Sequence, residues 1–285
     1  MRSTTRVGRR VLLAGLVLAP AALVIGRVAT PAVSAVAEPV RLMRAPGGGL
    51  QPQAVTDPDG GVHLVYFQGA PVAGDLFYAY RAPADTKFGQ PIRVNSRPGS
   101  AVAMGTIRGG QLAIGRGRRV HVVWNGSAQS IPEPPDPAAG SSRGAPLLYA
   151  RLNEARTAFE PQRNLMRHTF ALDGGGTVAA DASGNVYAAW HAAPRAGADE
   201  GDRRLWVARS TDDGQTFSPE AAAYEGRTGA CACCGSKAFA DSRGRVYVLY
   251  RAAKGGVERD MILLASGDKG EAFAGTSVQP WKVDT

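Results

Sequence analysis

The chain has 285 residues, with 33 Lys and Arg against 24 Asp and Glu and a formal charge of +9. Residues 1–37 hold five of the arginines and no acid. The remainder carries only +4, dispersed and without the basic runs interleaved with aromatics that grip nucleic acid. With 44% apolar residues, 36 Gly and 19 Pro, the rest is long enough to bury a core and turn-rich enough for one all-β domain.

Residues 1–37 read as an export signal. Arg2, Arg6, Arg9 and Arg10 precede an apolar run at 11–25, and Ala35-Val36-Ala37 offers a small-x-small cleavage site before Glu38. The pair Arg9-Arg10 directly before a modest apolar core resembles a twin-arginine signal. At 15 residues, interrupted by Gly15 and Pro20, the run is short for a membrane span. The expected product is periplasmic or extracellular and meets the membrane only through this signal.

Beyond the signal, one short alternating strand recurs four times: Val62-His63-Leu64-Val65-Tyr66, Val120-His121-Val122-Val123-Trp124, Val186-Tyr187-Ala188-Ala189-Trp190 and Val246-Tyr247-Val248-Leu249-Tyr250. Their starts lie 58, 66 and 60 residues apart. A turn signal precedes each: Asp57-Pro58-Asp59-Gly60-Gly61, Gly115-Arg116-Gly117-Arg118, Asp181-Ala182-Ser183-Gly184-Asn185 and Asp241-Ser242-Arg243-Gly244-Arg245. His63 and His121 stand in the slot that Tyr187 and Tyr247 fill later, so they are expected to be structural. His168, in a crossing between units, permits no assignment.

A second marker follows a third strand in each unit. The octet Ser210-Thr211-Asp212-Asp213-Gly214-Gln215-Thr216-Phe217 is restated as Ser266-Gly267-Asp268-Lys269-Gly270-Glu271-Ala272-Phe273. Degraded copies end at Phe88 and Phe159, where Asp85 and Glu154 supply the acid. Four strands per unit of about sixty residues, repeated, is the signature of propeller blades. Blades are expected at about 48–97, 100–165 (with a surface loop at 126–145), 166–225 and 226–285, with Phe88, Phe159, Phe217 and Phe273 in equivalent buried positions.

The pattern Ser-x-Asp-x-Gly-x-x-Phe resembles the Asp-box, or BNR repeat, of the sialidase-like β-propellers. The resemblance implies that Ser210, Asp212, Gly214, Phe217, Ser266, Asp268, Gly270 and Phe273 are structural and that each Phe packs back into its own blade. It also implies a ligand face at the opposite end, where Phe67, Asn125, His191 and Arg251 leave the second strands. Phe67 reads as an ordinary strand end; Asn125, His191 and Arg251 are candidate ligand-binding residues at the channel mouth, for a small molecule, glycan or protein. Six blades close sialidase propellers, so four repeats ending in Trp281-Lys282-Val283-Asp284-Thr285 are expected to form an incomplete six-bladed propeller. A compact four-bladed ring would instead pair 40–42 with blade four.

All three cysteines lie in Cys231-Ala232-Cys233-Cys234, before the inner strand of blade four. Three chemistries fit. A disulfide would leave one thiol to pair outside the chain. Soft thiolates could hold Cu(I) or Zn²⁺ with His191 as a fourth ligand. A reactive thiol could be activated by Lys237. Certain bacterial sialidase-like propellers carry a similar Cys-x-Cys-Cys run, and Arg259-Asp260-Met261-Ile262 before an octet resembles them too. Sialidases themselves use three arginines, a Tyr nucleophile assisted by Glu, and an Asp acid, outside the usual carboxylate pair. The family's Arg-Ile-Pro motif is absent. Pro91-Ile92-Arg93-Val94 is the nearest string, and Arg251 could stand for one of the three arginines. The sequence therefore supports an exported propeller that binds a ligand, partner or metal on its cysteine-bearing face; exo-α-sialidase activity is the alternative.

Overall fold

The computed structural model describes residues 42–105, 109–130 and 144–283. Residues 1–37, expected to be an export signal, and most of the 126–145 loop lie outside them. Sixteen strands form four separate four-stranded antiparallel sheets, each ordered along the chain. Blade one holds β1 (Leu50–Thr56), β2 (Val62–Ala70), β3 (Ala73–Arg81) and β4 (Ile92–Arg93). Blade two holds β5 (Gly110–Ile114), β6 (Val120–Asn125), β7 (Leu147–Arg151) and β8 (Arg163–Asn164). Blade three holds β9 (Thr177–Ala180), β10 (Val186–Ala192), β11 (Arg204–Ser210) and β12 (Ala221–Ala222). Blade four holds β13 (Lys237–Ala240), β14 (Val246–Arg251), β15 (Met261–Ser266) and β16 (Ala274–Gln279). The first strands of the blades line a cavity of about 740 Å³, walled by Val55, Leu112, Ile114, Val178, Ala238 and Phe239. Residues 40 and 41 of the segment that a closed four-bladed ring would pair with blade four lie outside the described residues as well.

The repeated turn works as its residues demand. In blades one, three and four the Oδ1 of Asp57, Asp181 or Asp241 accepts main-chain N–H groups two and four residues on, at 2.8–3.1 Å. Gly60, Gly184 and Gly244 take the left-handed conformation, at φ 87°, 89° and 76°, that an Asx-stabilised hairpin needs there.

In blades two, three and four the aromatic that ends the repeated strand pins the crossing from the blade before. Trp124 donates its indole N–H to the Ser100 carbonyl and Trp190 donates to Thr169 Oγ1, at 3.3 and 3.2 Å, while the Tyr250 hydroxyl pairs with Thr228 Oγ1 at 2.6 Å. A ring with a polar tip is required because the blade interior is dry and the crossing presents polar groups. Exposed His168 belongs to the same system through its main chain. Its N–H, with those of Arg167 and Thr169, converges on the buried Glu220 carboxylate.

The two good octets share one wiring. Gly214 N–H donates to Ser210 Oγ, and Gly270 N–H to Ser266 Oγ, at 2.9 and 2.8 Å; each hydroxyl donates to Asp212 or Asp268. The carboxylates then cap the turn, accepting from Thr216 N–H at 2.9 Å and Ala272 N–H at 3.0 Å. Two expectations are corrected here. In blade two Asn153, not Glu154, does the acid's work by accepting from Thr157 N–H at 3.0 Å, because the turn begins one residue earlier in the octet, with Arg156 N–H closing on the Asn153 carbonyl. The phenylalanines occupy equivalent places but are half-buried, and Phe159, Phe217 and Phe273 pack on clusters shared between their own blade and the preceding one. Phe159 meets Tyr78 edge-on at 5.8 Å, and Phe217 meets Tyr149 at 4.8 Å.

Those tyrosines explain the histidine slot. His63 Nδ1 bonds the Tyr78 hydroxyl, and His121 Nδ1 the Tyr149 hydroxyl, both at 2.8 Å with the imidazoles fully buried. Burial keeps both rings below the ordinary histidine pKa and hence neutral, against the pull of Asp57 and Asp213. Where blade three puts Tyr187 in the slot, its third strand carries Val207 in place of the tyrosine, and Phe273 packs into the cluster holding both. The inter-blade volume is filled either way.

Candidate functional site

Strands alternate direction, so octets leaving the third strands and residues leaving the second strands lie at opposite ends of each blade. The cysteine loop enters β13 at the second-strand end. Four separate segments hold its main chain. Cys231 N–H donates to the Arg251 carbonyl at 2.9 Å, and Cys234 N–H closes a turn on the Cys231 carbonyl at 3.3 Å. Ala232 N–H donates to Glu200 Oε1 at 2.7 Å, and Glu200 Oε2 in turn accepts from Arg259 Nη1 at 2.8 Å. His191 Nε2 donates to the Cys234 carbonyl at 2.7 Å. Gly174, at φ 62°, lies so close that a Cβ there would stand 2.6 Å from both the Cys234 carbonyl oxygen and His191 Nε2.

Within this frame the three sulfurs converge as reduced thiols. Cys231 Sγ lies 3.2 Å from Cys234 Sγ and 3.4 Å from Cys233 Sγ, and the remaining separation is 3.9 Å. They are graded from buried Cys231 through Cys234 to exposed Cys233. Among the described residues no imidazole or carboxylate joins them as a ligand group, so His191 holds the loop and is not the expected fourth donor.

The electrostatics are graded too. Burial, reinforced by its hydrogen bonds to the two other thiols, pushes the Cys231 thiol up to about 12. At Cys234 burial also pushes upward, but contacts to Cys231 and to Arg251, whose Nη1 is 3.7 Å away, outweigh it and hold the thiol below its ordinary value. Arg251 does what was expected of Lys237, whose ammonium turns away to Gln111 Oε1 at 3.0 Å. At Glu200 burial is outweighed by the Ala232 N–H and the Arg259 guanidinium, so the carboxyl stays below its usual range and charged. Arg251 is stacked on the exposed Trp281 ring at 4.0 Å from the centroid. The main-chain bond from Arg259 N–H to the Trp281 carbonyl and the bond from Trp281 N–H to Asp260 Oδ1, each 2.8 Å, tie the stacking segment down.

The structure thus brings His191 and Arg251 to Cys231, Cys233 and Cys234. Asn125 lies apart, buried in β6 opposite Leu147, and Phe67 is buried as well, so neither opens on a channel mouth. Glu200, Gly174 and Trp281 were not singled out from sequence. Glu200 sits in an irregular 193–203 loop with Asp199 and Asp202 beside it, and nothing local distinguishes the acid that reaches the cysteines.

No family model and no curated protein matches the chain. Solved structures do. A protein of unknown function from Dyadobacter fermentans DSM 18053 aligns over 79% of this chain and 68% of its own, at 13% identity and a TM-score of 0.53. A Trypanosoma rangeli sialidase in complex with the inhibitor DANA aligns over 79% of this chain and 37% of its own, at 12% identity and a TM-score of 0.50. A Penicillium chrysogenum α-L-arabinanase complexed with arabinobiose aligns over 82% and 69%, at 12% identity and 0.49. The likeness is one of fold. It places the four blades in the β-propeller architecture, and the chain spans little more than a third of the sialidase's length.

Proposed function

We propose that this chain is an exported sialidase-like propeller that holds one soft metal ion, Cu(I) or Zn²⁺, on Cys231, Cys233 and Cys234. The metal-bearing face then serves a small-molecule, glycan or protein partner and not nucleic acid. The observation that carries this reading is the sulfur triangle. Its three edges fit a circle of about 2 Å radius, so an ion at the roughly 2.3 Å of a metal–thiolate bond sits about 1 Å off the sulfur plane. That is close to the geometry of a tetrahedral ion with its fourth position open. Three soft donors with no hard donor among them favour Cu(I) over Zn²⁺. A folded-protein export route suits a protein that leaves the cell with its metal in place.

Metal analysis and thiol titration of purified protein test it. One equivalent of copper or zinc, lost with Cys231→Ser, is expected; metal-free protein with fewer than three titratable thiols would favour a disulfide. Replacing Arg9-Arg10 by Lys-Lys is expected to stop export, and undiminished export would overturn the twin-arginine assignment. The propeller likeness to the Trypanosoma rangeli enzyme supports sialidase-type glycan hydrolysis as a second reading. Turnover of a fluorogenic sialoside that disappears in Arg251→Ala would establish it over the binding reading.

A further inference from the structure

We infer that Cys233 is the exchange ligand of this site, passing Cu(I) between a sulfur-donor carrier and an anchoring pair formed by Cys231 and Cys234. The inference rests on the metal-site reading above and goes beyond it by giving the three sulfurs different tasks.

The anchoring pair is the more tightly built part. Cys231 and Cys234 make the shortest sulfur contact, 3.2 Å, and the turn that joins them is closed by their own main-chain bond. Cys231 is buried behind Ala232, whose N–H is fixed by Glu200 and through it by Arg259. Cys234 is fixed at its carbonyl by His191, touched at its sulfur by Arg251, and backed by Gly174. Cys233 lies between these two fixed points with its side chain exposed. A structural zinc site is closed on all sides by four protein ligands. Here there are three, one at the surface, and among the described residues no further ligand group closes the set.

An incoming carrier meets the sulfurs in order of exposure. As copper bonds to Cys233 Sγ, its bond to one carrier sulfur breaks; Cys234 and then Cys231 displace the carrier's remaining donors. Each cysteine that enters as a thiol gives its proton to solvent, and copper stays Cu(I) throughout. Release is the same sequence reversed. Arg251 beside Cys234 offsets the negative charge that accumulates as Cu(I) collects thiolates.

The full chain, reduced under nitrogen, is mixed with the Cu(I)–glutathione complex. Uptake is followed by near-ultraviolet thiolate-to-copper absorption, and the endpoint is counted with bathocuproine disulfonate after denaturation. Wild type is expected to reach one Cu(I) per chain. Cys233→Ala is expected to take up Cu(I) at least about tenfold more slowly, within the one to three decades over which association rates vary among variants of one interface. Cys231→Ala is expected to lose the endpoint. Circular dichroism melts confirm that each variant is folded. Uptake by Cys233→Ala at the wild-type rate overturns the exchange role while leaving the metal site standing. A wild-type chain that takes up no Cu(I) overturns the metal reading itself, and the exchange role with it.

Discussion

The two ends of the blades are built on opposite plans. At one end the same octet turn is made twice from the same atoms, a serine hydroxyl and a carboxylate capping the N–H groups of Gly214 and Thr216 in one copy and of Gly270 and Ala272 in the other. At the other, one loop is held once, by Gly174, His191, Glu200 and Arg251 from four places in the sequence. A turn that satisfies itself can be copied with its blade; a loop held by its neighbours cannot. The repeated end should therefore lose stability in small, equal increments, and the unique end should fail at single positions.

The largest expected effect is at the unique end. Gly174→Ala places a Cβ against backbone and ring atoms at a positive φ and should cost about 3 kcal/mol in urea unfolding, since strain and overpacking each cost roughly 1–3 kcal/mol. It should also abolish Cu(I) uptake; a variant that keeps both stability and uptake would remove the distinction between the two ends. Phe217→Ala comes next. A buried phenylalanine costs roughly 3–5 kcal/mol to truncate, and this ring is half-exposed, so about 2 kcal/mol is expected with no change in metal binding.

Ser210→Ala and Ser266→Ala should each cost about 1 kcal/mol, the worth of a hydrogen-bonded hydroxyl, and should add in the double variant. Unequal costs would show that the shared wiring conceals different surroundings. The smallest effect is in pH. Asp212 is held at about 2 against an ordinary 3.8: burial pushes it up, but the Thr216 N–H and hydroxyl and the Ser210 hydroxyl outweigh it. Its folded value lies below its unfolded one, so the carboxylate's contribution is complete above about pH 4 and drains away as the pH falls through about 2. The stability gap between wild type and Asp212→Ala should close over that window in urea titrations.

What the sequence made legible follows the same division. Strand, turn and octet recur, so each copy checks the others, and the four blades could be read from Val62, Val120, Val186 and Val246 alone. The repeat also pointed to Ser210, Asp212 and Gly214, whose bonds are local. It misassigned Glu154, because the turn begins one residue earlier in an octet of unchanged length and so moves the capping role to Asn153. It did not show that Phe159, Phe217 and Phe273 also reach across to the preceding blade, because packing across blades leaves no trace in spacing. The cysteines were conspicuous as a cluster, but their scaffold was not: Glu200 lies 31 residues before Cys231 in an irregular loop, and only the fold makes them neighbours.

The stack of Trp281 on Arg251 gives the protein an optical property of its own. Trp124 and Trp190 are sealed in the blades, whereas the Trp281 indole stands about half-exposed with a guanidinium 4.0 Å from its ring, and that guanidinium touches a cysteine sulfur. Its emission should lie to the red of theirs and answer to acrylamide. What happens at the sulfurs would thus reach solvent as light, two contacts away, without a label.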